Sequence, residues 1–368
     1  MLKPDSQKFH FLELIGVSGE FPSDQLNRLF RSSSYSEKVV TDLKNNNLIR
    51  VHYKDKLKGY RLTKQGKTLL LSSRPECFQY YLTGNVETNI IRSEPPRRLR
   101  LHQKAQVYLT LLHAGITFFP DEKPAIFSGN CEAPFSDLQN LSVFYTSREL
   151  KELGPVTTKI KNSRSIGILM APHCVYAIYN TGSTIFKWGY KTEVRFNAFL
   201  QYYLRGYPYS GIPHIRAIIF GDSMDTGLKL LTSTGGYKHS LFTLDTSFEH
   251  FHFLPNTFEG EILLRLLVNP IMINQLNQLL SSDMDTPQKN IPVEHDAVTK
   301  YGIPTLFAYD FDMQRISRFN AGLNIYNLKG NLICFDFQVP VLKQYLTANV
   351  HFSSIDLIKF RKEFLFAS

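Results

Sequence analysis

At 368 residues, with 43% hydrophobic and 13% aromatic residues, the chain has enough apolar mass for two or three packed domains, which excludes a largely disordered protein. Its four cysteines, Cys77, Cys131, Cys174 and Cys334, are too widely spaced for a short zinc-chelating or redox pair and read as free buried thiols of a reducing compartment. The formal net charge of +10 admits polyanionic partners, and its distribution says where they would bind: residues 1–104 hold 19 Lys+Arg against 10 Asp+Glu, whereas the rest hold 23 against 22.

The opening MLKPDSQKFHF lacks a charged-then-apolar leader pattern, and no run reaches the roughly 18 apolar residues that span a bilayer, so a cytoplasmic protein without membrane insertion is expected. In chain order, Phe9, Phe11, Leu12, Leu14 and Ile15 suit a short helix from Lys8 to Gly16. A second helix is expected after Pro22, with Ser23 as cap and Leu26, Leu29 and Phe30 at helical spacing. After a polar turn, Arg31–Ser34, a third helix is predicted from about Ser36 to Asn46, with Val39, Val40 and Leu43 inward and Lys38, Thr41, Asp42, Lys44 and Asn45 outward. Two β-type runs, Leu48–Tyr53 and Gly59–Leu62, flank Lys54-Asp55-Lys56-Leu57-Lys58, which reads as a basic hairpin tip. LTKQGKTLLL then opens a closing helix.

Three helices followed by a basic two-stranded wing resemble the winged helix-turn-helix family over about residues 7–73. The most specific stretch is LIRVHYKDKLKGYRLTKQGKTLLL, because that family's wing ends in a Tyr-x-Leu-Thr-x-x-Gly-Lys run. The resemblance implies a third helix in the major groove and a wing on phosphate or minor groove. Ser34, Tyr35, Ser36, Lys38, Thr41, Lys44 and Asn45 thereby become groove candidates, and Lys54, Lys56, Lys58 and Arg61 phosphate contacts. Independently of the family, a helix fits the major groove, and short polar side chains with a few cations can read base edges. A protein-docking or dimerisation module, or a solvated basic face, is the alternative.

Between Ser72 and Gln103 both periodicities fade, and Pro95-Pro96 is expected to break any helix, so residues 74–103 read as a linker. Its Arg97, Arg98, Arg100 and the following Lys104 form a basic patch that either extends the DNA footprint or is simply exposed. Residues 104–206 read as a second unit, entered through helical spacing over Leu99–Ala114. Ile116-Thr117-Phe118-Phe119 and a capped helix from Ser147 follow. Two apolar runs, Ser165–Ala171 and Cys174–Thr181, are joined by Pro172-His173, and a helix from Thr192 to Leu204 closes the unit.

This order looks like the core of restriction-endonuclease-type folds. Joined to the N-terminal module, it is similar over roughly residues 7–205 to the replication-relaxation family and the nuclease-like plasmid relaxases of Gram-positive mobile elements. Nucleases of that class need an acid on the first hairpin strand and a Glu-x-Lys-like pair on the second, to hold a divalent metal and steady the attacking water. At the matching positions this chain has Ile166 and then Tyr176-Ala177-Ile178-Tyr179-Asn180. Pro120-Asp121-Glu122-Lys123 matches in letters only and reads as a turn. Glu193, with Lys187 and Lys191 nearby, is the residue that would rescue such a site from the following helix.

Residues 207–368 alternate β-type and helical runs: Ile215–Phe220 with Met224–Thr232, Ser240–Leu244 and Phe248–Leu254 with a long helix Gly260–Leu280, and Thr305–Tyr309 with a helix from Asp312. Asn331–Phe335 then leads to Val339–Leu346, and Val350–Phe352 to a last helix from Ile355. This predicts an α/β layer with a largely parallel sheet, whose continuity with residues 104–206 the sequence leaves open. Asp222, Asp245, Asp310, Asp312 and Asp336 at strand ends read as helix caps before they read as a metal site. Glu249-His250-Phe251-His252 shows two imidazoles on one strand face without a third ligand. Thr232-Ser233-Thr234-Gly235-Gly236 lacks the lysine and placement of a phosphate-binding loop.

The expected fold is therefore α/β, α+β overall: a winged helix, a restriction-endonuclease-like unit and an α/β C-terminal layer. The expected function is that of a mobile-element protein that binds double-stranded DNA in plasmid replication, relaxation or conjugative transfer. Other relaxosome, replication or transfer proteins are its expected partners, with no cofactor, no metal and no nuclease activity of its own. Two alternatives stay open. One is an active relaxase or nuclease using Mg or Mn with Glu193, Asp222 and Asp245; the other is a transcriptional regulator whose body senses a ligand or forms a homodimer.

Overall fold

Ser6 accepts the Phe9 N–H to start α1 (Gln7–Ser18), and Gly19, at φ 83°, ends it by donating its N–H to the Ile15 carbonyl. The computed structural model to which these elements belong describes residues 3, 6–127, 141–151, 163–205, 211, 213–287, 291–347 and 349–365. Cys131 lies outside the described residues, whereas Cys77, Cys174 and Cys334 are buried and form no disulfide among the described residues. The chain mixes helix and sheet and divides into two compact units, Met1–Ala125 and Ile126–Ser368.

In the first unit β1 (Phe21–Pro22) leads through a 3-10 turn to α2 (Leu26–Phe30). Arg31, at φ 58°, turns the chain, and Ser32 caps α3 (Ser33–Asn45), which begins three residues earlier than its apolar spacing suggests. Next, β2 (Ile49–Lys54) and β3 (Leu57–Leu62) form a tight antiparallel hairpin. Its two turn residues, Asp55 and Lys56, both have positive φ, the turn geometry whose twist matches that of paired strands. With β1 on the other side of β3, the sheet order is β1-β3-β2. Phe11 of α1 meets Phe21, Phe30 and Tyr60 edge-on at ring-centroid distances of 5.3, 5.6 and 5.7 Å, so one aromatic ring ties α1, β1, α2 and β3 together.

The same unit continues through α4 (Lys64–Ser73), α5 (Pro75–Leu82) and α6 (Pro95–His113). This corrects the expected linker over residues 74–103 and the boundaries drawn from it. Pro95 and Pro96 occupy the first turn of α6, where a missing N–H leaves no bond unmade and the fixed φ suits a helix. One face of α6 is then buried, with Arg98, Leu101, His102 and Ala105 all inside, and the unit extends to Ala125.

In the second unit β4 (Val143–Thr146), α7 (Ser147–Lys151), β5 (Gly167–Met170), β6 (Val175–Asn180), α8 (Tyr190–Tyr203), β7 (Ile215–Gly221), α9 (Met224–Leu231) and β8 (Phe251–Pro255) follow in order. Their strands form one sheet, β4-β5-β6-β7-β8, antiparallel from β4 to β6 and parallel from β6 to β8, with α8 as the crossover from β6 to β7. The strands are buried almost throughout, as expected of a sheet covered on both faces.

The expected single helix over Gly260–Leu280 is two, α10 (Phe258–Leu267) and α11 (Pro270–Ser281). Pro270 cannot continue a helix but can start one, and Asn269 caps the new one by accepting the Met272 N–H. Ser240–Leu244 contributes only an isolated bridge from Leu241 to Lys187, not a strand. After β9 (Ala297–Val298), β10 (Pro304–Phe307), α12 (Met313–Tyr326), β11 (Gly330–Phe335), α13 (Val339–Tyr345), β12 (Val350–Ile355) and α14 (Leu357–Phe360), a second sheet has the order β12-β11-β10-β9, parallel except for β9. One apolar core includes residues of both sheets, from Tyr145 and Ile168 to Leu306 and Leu332, so the described residues on either side of the expected boundary at 206 belong to one unit.

Gly167 lies so close to β4 that a Cβ there would stand 2.1 Å from the Tyr145 carbonyl oxygen. Gly167→Ala is expected to destabilise the chain by about 1–3 kcal/mol through forced separation of β4 and β5. Urea denaturation measures it, and a wild-type midpoint would contradict this pairing.

Candidate nucleic-acid interface

The three inward residues of α3, Ser36, Val39 and Leu43, leave its opposite face to solvent. Ser34, Tyr35, Lys38, Thr41, Lys44 and Asn45 are exposed, and positions 34, 38, 41 and 45 follow one helical stripe. Ser36 does not belong with them. It is buried, and its hydroxyl donates to the Ser33 carbonyl at 2.7 Å, because the earlier start of the helix turns this position toward α2. Tyr35 packs edge-on against Phe30, which fixes its ring at the helix entrance.

On the hairpin Lys54, Lys56 and Lys58 are exposed, and no ion pair holds any of them, or Lys38 and Lys44, among the described residues. Cross-strand register sorts the two faces. Val51 pairs with Tyr60 and Tyr53 with Lys58, so Tyr53 and Lys58 continue the face on which Tyr60 meets Phe11. Tyr53 is 69% exposed and Arg50 is also exposed; sequence reasoning passed over both. Strict alternation counted back from the turn would have placed Tyr53 beside Lys58, but only once the turn was known to be two residues long.

The other face of the hairpin overturns two expected phosphate contacts. Arg61 and Arg98 are buried, and both bind the carboxylate of the fully buried Glu20. Arg61 Nε donates to Glu20 Oε2 at 2.8 Å, Arg98 Nη2 to Oε1 at 2.5 Å, and His102 Nε2 lies 2.9 Å from Oε1. A cation so enclosed is neutralised internally and cannot reach a phosphate. Arg97 and Arg100 remain exposed on α6 but pair with Glu94 and Glu87, and Lys104 also pairs with Glu87. Burial alone would raise the Glu20 carboxyl, but hydrogen bonds from His102, Arg98 and Arg61 outweigh it and hold the group down at about 2. Burial beside Arg61 and Arg98 likewise keeps His52 below its ordinary range.

In the second unit Glu193 and Asp245 lie near enough to interact electrostatically, but no group of three or more potential metal ligands is found among the described residues. Glu193 is buried on α8, where it accepts the Tyr179 hydroxyl at 2.6 Å and the Ser163 hydroxyl at 3.0 Å; burial raises its carboxyl. Asp245 accepts the Trp188 indole N–H at 2.7 Å and the Ser247 amide at 2.8 Å. Asp222 is exposed beyond the end of β7 and accepts the Asn256 side-chain N–H at 3.5 Å. Ile166 and Tyr176–Asn180, the positions that the sequence reading compares with a nuclease motif, are buried.

The two imidazoles and two aspartates that looked separate in the sequence meet across antiparallel segments. His250 Nδ1 lies 2.5 Å from Asp312 Oδ2 and His252 Nδ1 3.5 Å from Asp310 Oδ2, while Phe253 N–H donates to the Phe311 carbonyl. Asp312 also accepts the Gln314 N–H as cap of α12. Among the described residues, no group of three or more His, Cys, Asp or Glu side chains is arranged to hold a metal ion, and no helix is long and apolar enough to cross a membrane.

Comparison with family models, with curated proteins and with solved structures finds no match to this chain.

Glu20 makes the first unit acid-sensitive. Its folded pKa lies below its unfolded value of about 4.3, so its stabilisation is complete above that pH and is lost as pH falls toward about 2. On the order of 3 kcal/mol rides on this one carboxyl, and Glu20→Gln is expected to be less stable than wild type at pH 7, with the gap narrowing below about pH 4. Urea unfolding across pH 2–7 tests it; a gap independent of pH would refute the assignment.

Proposed function

We propose that the protein is a double-stranded-DNA-binding protein of a mobile element, acting in plasmid replication, relaxation or conjugative transfer. In this reading the first unit is a winged helix and the body is a nuclease-like fold that does not cut. One observation carries the reading: the exposed polar stripe of α3 and the exposed lysines of the hairpin belong to one unit, and no carboxylate pairs with those lysines among the described residues. The element order α1-β1-α2-α3-β2-β3 and the sheet order β1-β3-β2 support it. Lys54, Lys56 and Lys58 would hold phosphates, while Thr41, Asn45 and Lys38 would face base edges.

A binding role without cleavage is supported by the body. The expected acid and Glu-x-Lys positions are buried and lack a carboxylate or a lysine, while Glu193 and Asp245 are engaged by Tyr179, Ser163, Trp188 and Ser247. Footprinting at a replication or transfer origin, rather than at the protein's own promoter, would separate this function from that of a regulator.

Duplex titrations at several salt concentrations measure the phosphate contacts. Replacing Lys54, Lys56 and Lys58 together by alanine is expected to reduce the slope of log K against log salt by about 2–3, since each neutralised phosphate contributes close to 0.9. An unchanged slope would remove the hairpin from the interface. Supercoiled plasmid incubated with Mg or Mn is expected to stay supercoiled. Nicking by the wild type that disappears in Glu193→Gln would favour the enzyme instead.

A further inference from the structure

We infer that Arg98 is the positioning residue of the hairpin: it sets where Lys54, Lys56 and Lys58 stand, and so governs DNA binding without touching DNA. The inference rests on the DNA-binding reading above.

The guanidinium is fully buried, and the hairpin's own backbone surrounds it. Arg98 Nη1 donates to the Lys54 carbonyl at 2.8 Å, and Nη2 donates to the Leu57 carbonyl at 3.0 Å and the His52 carbonyl at 3.3 Å. Lys54 and Leu57 are the pair that closes the turn, so the two-residue tip carrying Lys56 hangs directly from this side chain. Lys54 belongs to the anchored carbonyls themselves, and Lys58 follows one of them. The tip has little other support. β2 is an edge strand, and a two-stranded ribbon is marginal in water unless something packs against it.

The anchor is itself immobilised. Glu20 takes Nε and Nη2 of Arg98, and it is held in turn by Arg61 from β3 and by His102 one turn further along α6. Gly59 lets α6 lie against this face of the hairpin, since a Cβ there would come within 2.4 Å of Glu20 Oε1 and 2.8 Å of His102 Nε2. Reaching three carbonyls and a carboxylate from one point requires a planar fork with five N–H groups. A lysine ammonium, with three donors on one atom, cannot span them.

Arg98→Lys in the full chain keeps the buried charge and every surface lysine, and so isolates position from charge. It is expected to melt cooperatively and to leave amide exchange in α1 and α3 at wild-type rates. Exchange over residues 51–58 should be at least about tenfold faster, a local opening and not a global one. Duplex affinity should fall by at least about tenfold, with a salt slope as shallow as that of the triple alanine variant. Hairpin exchange at the wild-type rate would overturn the inference, as would faster exchange with unchanged affinity and slope.

If wild-type protein does not bind duplex, the DNA-binding reading fails, and Arg98's role in DNA binding fails with it; faster exchange would then show only that Arg98 holds the hairpin. If Arg98→Lys does not fold, the wild type alone decides. Protection of Lys54 and Leu57, the pair that closes the turn, equal to that of residues 59–62 of β3 supports the anchor, and exchange there at the rate of an unstructured peptide overturns it.

Discussion

A carboxylate that is removed from water must be surrounded by donors, and Glu20 imposes that requirement on the first unit. Glu20 itself precedes β1, and its partners come from two elements: Arg61 lies in β3, and Arg98 and His102 lie in α6. Satisfying one buried charge therefore brings α6 onto the sheet, requires a glycine at position 59, and leaves Arg98 with donors to spare for the hairpin carbonyls. The aromatic contacts around Phe11 supply the apolar core of this unit. The Glu20 cluster determines which face of the hairpin α6 covers, while the base of the other face packs on Phe11 through Tyr60.

The N-terminal excess of positive charge consequently has two parts with different physics. Arg61 and Arg98 are structural cations, and Arg74 is another, bound to Glu13, Asp121 and Glu122. Lys8 is paired with Asp42, and Arg97 and Arg100 have their own glutamates. Lys38, Lys44, Lys54, Lys56 and Lys58 remain without an ion-pair partner among the described residues. Arginine fills the buried roles because its fork satisfies several acceptors at once, whereas lysine, strongly hydrated, stays at the surface.

In the body the acids are engaged with the protein itself. Glu193 closes a contact with Tyr179, Asp245 holds Trp188 and a turn, and Asp310 and Asp312 stand against His252 and His250 along two antiparallel segments. Asp312 also caps α12, so one carboxylate fastens β8 to the helix that follows the first strand pair of the second sheet. Burial lowers His252 and raises Glu193, both toward their neutral forms, which suits groups that stabilise packing.

Much of this order was legible in the residues. Apolar spacing placed α1, α3, β5, β6, α8 and β7 close to where they lie, because each buries one face or both and the period shows it. Local chemistry also marks the lysine-rich segment as a hairpin tip, but of the five strand-end aspartates expected to be caps, Asp222, Asp245, Asp310, Asp312 and Asp336, only Asp312 is a helix N-cap. The two errors at proline are opposite ones: at Pro95 a breaker is expected where a first-turn proline begins a helix, whereas at Pro270 one continuous helix is expected where the proline ends one and begins the next. The pairing of His250 with Asp312 and of His252 with Asp310 was hidden because the partners are about 60 residues apart, and spacing carries no signal across such a gap.

By itself, then, the sequence determined the local elements, the position of the charge and the residue types available at each surface, since these depend on neighbours three or four positions away. Only the tertiary structure decided which cations are free. Arg61 and Lys58 sit three residues apart on the same strand, yet one is buried against Glu20 and the other faces solvent, because α6 covers one side of the hairpin and not the other.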